Sequence, residues 1–217
     1  MDTETISKAL AQAKESSKER KFAQRIDLII NFKELDLKKP DNHVDFFLTL
    51  PNNPGKPKRI AGFVDAELID EAKANLAFYV TPDKFPEYAN DKKKAKELAN
   101  TYDYFIAQAN IMKDVAGSFG RILGSRGKMP NPKGGMVVAP KTSLKPLAER
   151  LTRTVHIKVK TTPTYQAGVG LETQSTEEIA ANIAALYEQI INHLPSEAGN
   201  VRSVFVKTTM GAPVRVI

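Results

Sequence analysis

Residues Pro51–Val80 read PNNPGKPKRIAGFVDAELIDEAKANLAFYV, and the change of character inside this stretch decides the fold. Its first part, Pro51–Arg59, carries three prolines, a glycine and two asparagines. Neither a helix interior nor a central strand tolerates that mixture, so it reads as a linker. After it, RIAGFV is a short, nearly continuous apolar run. DAELIDEAKANL has helical spacing, with Asp65 as N-cap and Glu67 in the first turn, and AFYV is a second short apolar run. DKKKAKELANTY, a highly charged helix expected to face solvent, YDYFIAQA, a third strand, and IMKDVAGSFGRIL, a further helix, continue the pattern. Short apolar strands alternating with helices predict βα units and a parallel sheet covered on both faces.

The chain reads differently on either side of this region. Residues 2–19 have the spacing of an amphipathic helix, with Ile6, Leu10 and Ala13 on one face. RIDLIINFKELDL alternates Ile26, Leu28 and Ile30 on one side, and HVDFFLTL reads as another strand. Pro40–Asn42 between them is a turn signal, so the two runs predict a β-hairpin. Near Leu151 the alternation returns. TVHIKVKTT sets Val155, Ile157 and Val159 against His156, Lys158 and Lys160, with TYQAGVGLE as its expected hairpin partner. STEEIAANIAALYEQIINHL predicts the strongest helix. Ser175 and Glu178 form a capping box, and Ile179, Ile183, Leu186, Ile190 and Leu194 give the buried stripe. VRSVFVKTTMGAPVRVI reads as a strand broken at Met210–Gly211. Each terminal third is too small to bury a core alone. The expected fold therefore combines α+β and α/β: residues 1–57 and 153–217 join in a split α+β domain of one sheet with helices on one face, and residues 58–152 form a second domain inserted into it. Two chain crossings, near Pro57 and Arg153, give a double hinge that permits rigid-body opening and closing.

The 217 residues are 41% hydrophobic and 26% charged, an ordinary globular mixture. The absence of Cys excludes disulfides and thiolate zinc sites. His43, His156 and His193 show no metal-ligand spacing, so no metal is expected. The start, MDTETISKAL, is not a signal peptide, and no apolar run approaches the length of a membrane span. A soluble cytoplasmic protein is expected. The net charge of +7 favours a polyanionic partner such as RNA or DNA. Between Met112 and Arg153 nine basic side chains stand against two acidic ones, an excess equal to the whole net charge.

In the middle of that basic stretch lies GSRGKMPNPKGG, Gly124–Gly135. It fails as a nucleotide cradle of the Walker A type, because Ile122 stands where the first glycine belongs and Met129 follows Lys128 in place of a hydroxyl. RIAGFVDAEL holds only Gly62, so a dinucleotide fingerprint is also missing. No Ser, His and Asp set or catalytic carboxylate pair stands out. The chain is therefore expected not to be an enzyme and to need no cofactor. The alternative, a nucleotide-dependent α/β enzyme, rests on the inserted domain alone. Two places are sharper as binding sites. One is the polar strand face of His156, Lys158 and Lys160, which could equally be a solvated sheet face. The other is KTTMGAP, where Thr208, Thr209 and Gly211 suit close contact with RNA phosphates and 2′-hydroxyls; Met210 there is either presented to a partner or tucked into the core.

ILGSRGKMPNPKGG and SVFVKTTMGAPVRV together resemble the large-subunit ribosomal protein L-one family, over essentially the whole chain, and NFKELDLKKPDN resembles its archaeal and eukaryotic branch. The resemblance implies a split α+β domain of β-α-β type with an inserted Rossmann-like three-layer α/β domain, and no enzymatic activity. It implies binding to a helical region of large-subunit ribosomal RNA, a place in the mobile stalk of the ribosome beside exit-site tRNA, assistance in release of that deacylated tRNA, repression through the protein's own mRNA, and a monomer when free. By the same resemblance the RNA contacts fall on Lys21, Phe22, His156, Lys158, Ser203, Thr209, Met210 and Gly211, and the reading of KTTMGAP adds Thr208. Arg121, Arg126, Lys128 and Lys133 would add a secondary RNA or tRNA contact, against the reading of their loop as a structural turn. Two positions depart from the family pattern: Ser125 stands where a proline is usual, and Ala212 precedes Pro213. The charge excess and the main site thus fall on different domains. Specificity is expected from the Thr209–Gly211 side, and part of the salt-dependent affinity from the Arg121–Lys133 side.

Overall fold

A computed structural model describes residues 2–18 and 20–217. In chain order its elements are α1 (Thr3–Glu15), β1 (Arg25–Phe32), β2 (Val44–Thr49), β3 (Ile60–Phe63), α2 (Ile69–Asn75), β4 (Phe78–Val80), α3 (Phe85–Asn90), α4 (Lys92–Thr101), β5 (Tyr104–Gln108) and α5 (Met112–Ser125). Then follow β6 (Val137–Val138), α6 (Lys145–Arg153), β7 (Thr154–Val159), β8 (Thr164–Leu171), α7 (Thr176–Asn192), β9 (Val201–Thr208) and β10 (Val214–Arg215). The chain divides into two compact units. One holds the chain up to Lys56 together with Arg153–Ile217; the other is Pro57–Thr152.

In the split unit a four-stranded antiparallel sheet has the order β10-β9-β1-β8. β1 lies at its centre because it is the most apolar strand available, with Ile26, Leu28, Ile30 and Phe32 all buried on one face. Both of its edges are occupied, so the hairpin expected between β1 and β2 does not form. β2 pairs instead with β7, Val44 opposite Val159, in a separate two-stranded sheet. β7 and β8 are not partners either, and the single sheet expected here is two. The first helix ends at Glu15, short of the predicted residue 19, which lies outside the described residues.

α1 and α7 cover the buried face. Ile6 and Leu10 from α1 and Ile179, Ile183, Leu186 and Ile190 from α7 join the β1 stripe in one core. Ser175 caps α7, its Oγ accepting the Glu178 N–H at 3.2 Å, a cap that contributes about 1 kcal/mol. The linker is pinned to this unit. Buried Asn182 of α7 accepts the Asn52 N–H at 2.9 Å and donates to the Val169 carbonyl at 2.8 Å. The other sheet face carries Asp27, Ile29 and Asn31 with their register partners Lys207, Phe205 and Ser203.

In the inserted unit four parallel strands take the order β4-β3-β5-β6. Ala61, Phe63, Phe105 and Ala107 face a core shared with Phe85, Ala95, Leu98 and Phe119. Phe63 packs against Phe119 with ring centroids 4.8 Å apart. Ile60, Gly62 and Ile106 point to the opposite face, where Leu76 lies over Gly62. Asp91 caps α4 by accepting the Lys93 and Lys94 N–H groups. This charged helix is not wholly solvent-facing, since Ala95, Leu98 and Ala99 are buried. The fold class is the expected mixture of α+β and α/β. α3, six residues, and β6, two, span too few residues to show a period, whereas α6, nine residues with Leu147 and Leu151 buried one turn apart, carries a helical pattern that the sequence reading passed over.

Candidate nucleic-acid interface

Thr208–Gly211 forms a tight turn at the end of β9, closed by the Gly211 N–H to the Thr208 carbonyl at 3.2 Å. Its four residues have different fates. Thr208 is fully buried, and its hydroxyl donates to Ser17 Oγ at 3.0 Å. Thr209 is exposed, but its hydroxyl is held between the Arg25 N–H, 3.0 Å, and the Arg25 carbonyl, 3.1 Å. Met210 is 60% exposed, so it is presented and not tucked into the core. Gly211 has to be glycine, because a Cβ there would collide with the Thr208 hydroxyl. The expectation that Thr208 contacts RNA directly does not fit this geometry: its hydroxyl is turned inward and fixes the turn.

The piece that holds the turn is Gln24, 1% exposed, a residue that sequence reasoning passed over. Its Oε1 accepts the Met210 N–H at 3.1 Å, and its Nε2 donates to Ser17 Oγ at 2.8 Å and to the Lys18 carbonyl at 3.2 Å. Its own N–H is bound by Glu172 Oε1 at 2.8 Å. One buried amide thus ties the turn to the segment after α1, where Lys21 and Phe22 stand exposed, Phe22 by 53%. Met210, whose N–H the hub holds, and Phe22, two residues before Gln24 in the chain, are both large exposed apolar side chains. On the other sheet face Asn31 donates to Ser203 Oγ at 3.0 Å and accepts from the Thr164 hydroxyl at 3.2 Å. Ser203 is therefore part of a polar row across three strands. The outward half of the β1 alternation could have pointed to Asn31, since the inward half is wholly apolar.

His156 and Lys158 lie on the separate β2–β7 sheet, not on the sheet that holds Ser203 and leads into the Thr208–Gly211 turn. His156 Nε2 meets Asp45 Oδ1 at 2.7 Å, and its ring stacks on Phe47, centroids 4.3 Å apart. Lys160 binds the other Asp45 oxygen. Burial pushes the Asp45 carboxyl up, but the hydrogen bonds and charges of Lys160 and His156 outweigh it and hold the carboxyl below its ordinary value of 3.8. His156 is thus committed within the protein, and Lys158 is the exposed member of the pair.

In the inserted unit the four candidate basic residues separate. Arg121 on α5 and Lys133 in the Pro132–Gly134 turn are exposed. Lys128 turns back, its ammonium donating to the Ala99 carbonyl at 2.8 Å and the Tyr102 carbonyl at 2.7 Å. These are orphan carbonyls at the C-terminus of α4, where a cation also favours the helix dipole. Burial pushes the Lys128 ammonium below its ordinary value, with Asp103 opposing and Arg126 adding to the shift. Arg126 donates to the Asn100 side chain at 3.2 Å. The Gly124–Gly135 loop is therefore in part a structural clasp on α4, and Lys128 is a capping residue before it is a contact.

At the other end of the parallel strands, β3 and β5 part to opposite neighbours, the place where nucleotides bind in folds of this kind. Here Asp65 donates its N–H to buried Gln108 Oε1 at 2.9 Å and accepts from Asn110 at 3.2 Å, and Gln108 also reaches Glu67. Carboxylates without a glycine-rich loop repel a phosphate at this position. Among the described residues no group of three or more His, Asp or Glu is placed to hold a metal ion, and no helix is long and apolar enough to cross a membrane.

A sheet unit interrupted by a parallel α/β unit, with aromatic, methionyl and hydroxyl side chains on show and carboxylates where a nucleotide would bind, is the build of a binding protein. Comparison with known proteins narrows that class to one family. The model of the ribosomal protein L1p/L10e family matches residues 12–212, and the chain belongs to this family. It is 42% identical to the large ribosomal subunit protein uL1 of Methanobrevibacter smithii over 99% of this chain and 100% of that protein. It is 38% identical to the protein of the same name from Pyrococcus horikoshii, over 99% of this chain and 96% of that one. For the one from Archaeoglobus fulgidus the identity is 34%, over 100% and 99%. These three relatives are archaeal and are named as ribosomal proteins.

Proposed function

We propose that this chain is a structural protein of the large ribosomal subunit in the cytoplasm and binds a helical region of the subunit's ribosomal RNA through the split unit. The observation that carries this reading is the exposure of both Phe22 and Met210, the latter held by the buried Gln24 hub. An exposed methionine whose N–H Gln24 holds, and an exposed phenylalanine two residues before Gln24 in the chain, are costly in water and suit a groove or base face of RNA, with Thr209, Lys21 and the Asn31–Ser203 row supplying polar contacts to sugar and phosphate. The family relationship supports the further steps: the protein forms the mobile stalk beside the exit site, contacts and helps release deacylated tRNA, and binds its own mRNA through the same surface as a repressor. The stalk motion uses the two chain crossings as hinges, and the free protein is a monomer. Filter binding with fragments of ribosomal RNA tests the central claim. A stem of the large-subunit RNA is expected to bind and to compete with the leader of the protein's own mRNA. Equal binding of unrelated stems would overturn specific recognition.

A further inference from the structure

The strands of the inserted unit begin at Ile60, Phe78 and Tyr104, and this end of the sheet carries an aromatic and basic cluster. Phe78, 36% exposed, stacks on Tyr102 with centroids 5.6 Å apart and planes 14° from parallel. Cations are bonded to residues close to these in the chain. Lys128 holds the Tyr102 carbonyl, Arg126 reaches Asn100 two residues earlier, and Lys58 lies 6.0 Å from the centre of the Tyr104 ring. The exposed Arg59 directly precedes β3, and its N–H binds Asp103 at 3.0 Å. Asp103 is the acid bonded within this group. A purely apolar partner needs no such rim of cations. An anionic polymer whose units carry flat faces uses both parts: rings to stack on and cations for the backbone between them.

We propose that the Phe78–Tyr102 stack is a platform for an unpaired RNA base, with Arg59 and Arg126 meeting the adjoining phosphates. This rests on the reading of the chain as an RNA-binding protein, and it adds a second contact of different chemistry, stacking on single-stranded RNA. It also changes the grouping of the basic residues. Arg126 belongs with Phe78 and Tyr102, whereas Arg121 and Lys133 lie outside the cluster.

The chain has no tryptophan, so Phe78→Trp in the full-length protein places a single tryptophan in the platform, excited selectively at wavelengths where the six tyrosines absorb little. Titration with an oligoadenosine RNA at low salt is expected to quench that fluorescence. Adding Arg59→Ser with Arg126→Ser is expected to weaken the apparent affinity about tenfold, and Phe78→Leu in the native background to weaken it similarly by anisotropy, while Phe78→Tyr retains it. Absence of quenching, quenching indifferent to both arginines, or quenching by an acidic peptide in place of RNA overturns the proposal. Binding of the ribosomal RNA stem is measured on the same variants. If the stem binds and the oligonucleotide does not, only the platform fails; if the wild-type protein binds neither, the RNA-binding reading fails with it.

Discussion

Thr208 and Met210 stand two positions apart and illustrate what single residues can reveal. A sequence shows their chemistry but not their direction, and the direction is set by Gln24 and Ser17, some 190 residues upstream. Met210→Ala is expected to weaken binding of the target RNA stem by about 1–3 kcal/mol with an unchanged melting temperature, since the side chain touches little of its own protein. Gln24→Leu acts differently. It leaves the Met210 N–H and the Lys18 carbonyl without their partner, so both thermal stability and stem affinity should fall, stability by about 1–3 kcal/mol. Gln24→Glu keeps an acceptor toward the Met210 N–H but sets a buried carboxylate oxygen against the Lys18 carbonyl, so it should lose at least as much stability as Gln24→Leu. Asp45 supplies a pH signature. Its carboxyl is held below 3.8 in the folded protein, so its contribution is complete above that value and is lost as the pH falls through the folded one. Melting curves between about pH 3 and 6 should show a shallower acid-side decline for Asp45→Asn than for the native chain.

At the scale of elements, faces were legible and partners were not. The inward stripe of β1, the Ser175 cap and the stripe of α7 follow from periods of two and 3.6 residues, which local sterics impose. Pairing is not local. β1 finds its neighbours in β8 and β9, so the turn at Pro40–Asn42 joins two strands of different sheets. The clasp on α4 shows the same limit, because Lys128 reads as a surface charge until α4 is folded beside it. Lys128→Met should destabilise the protein by about 1–3 kcal/mol in urea unfolding, having stripped two carbonyls of their donor. Removing the exposed charges with Arg121→Ser and Lys133→Ser should leave the urea midpoint in place.

For the whole molecule, the two cores are separate sets of residues, one in each unit. A chain with residues 58–152 replaced by a short linker is therefore expected to keep its preference for the target RNA. The slope of log affinity against log salt should become shallower, because the basic excess leaves with the insert. Loss of sequence preference would place specificity in the inserted unit instead. The central position of β1 also bears on how the protein is made. Asn31 waits for Thr164 and Ser203 to complete its sheet, and at about 5–20 residues per second that is a delay on the order of ten seconds. The parallel unit, contiguous in the chain, can form during this interval while the opening helix and strand remain unpartnered on the nascent chain. A polypeptide released before its last strands are translated has a folded middle but no Gln24–Met210 hub, so an RNA that requires that hub selects against chains whose synthesis stopped early.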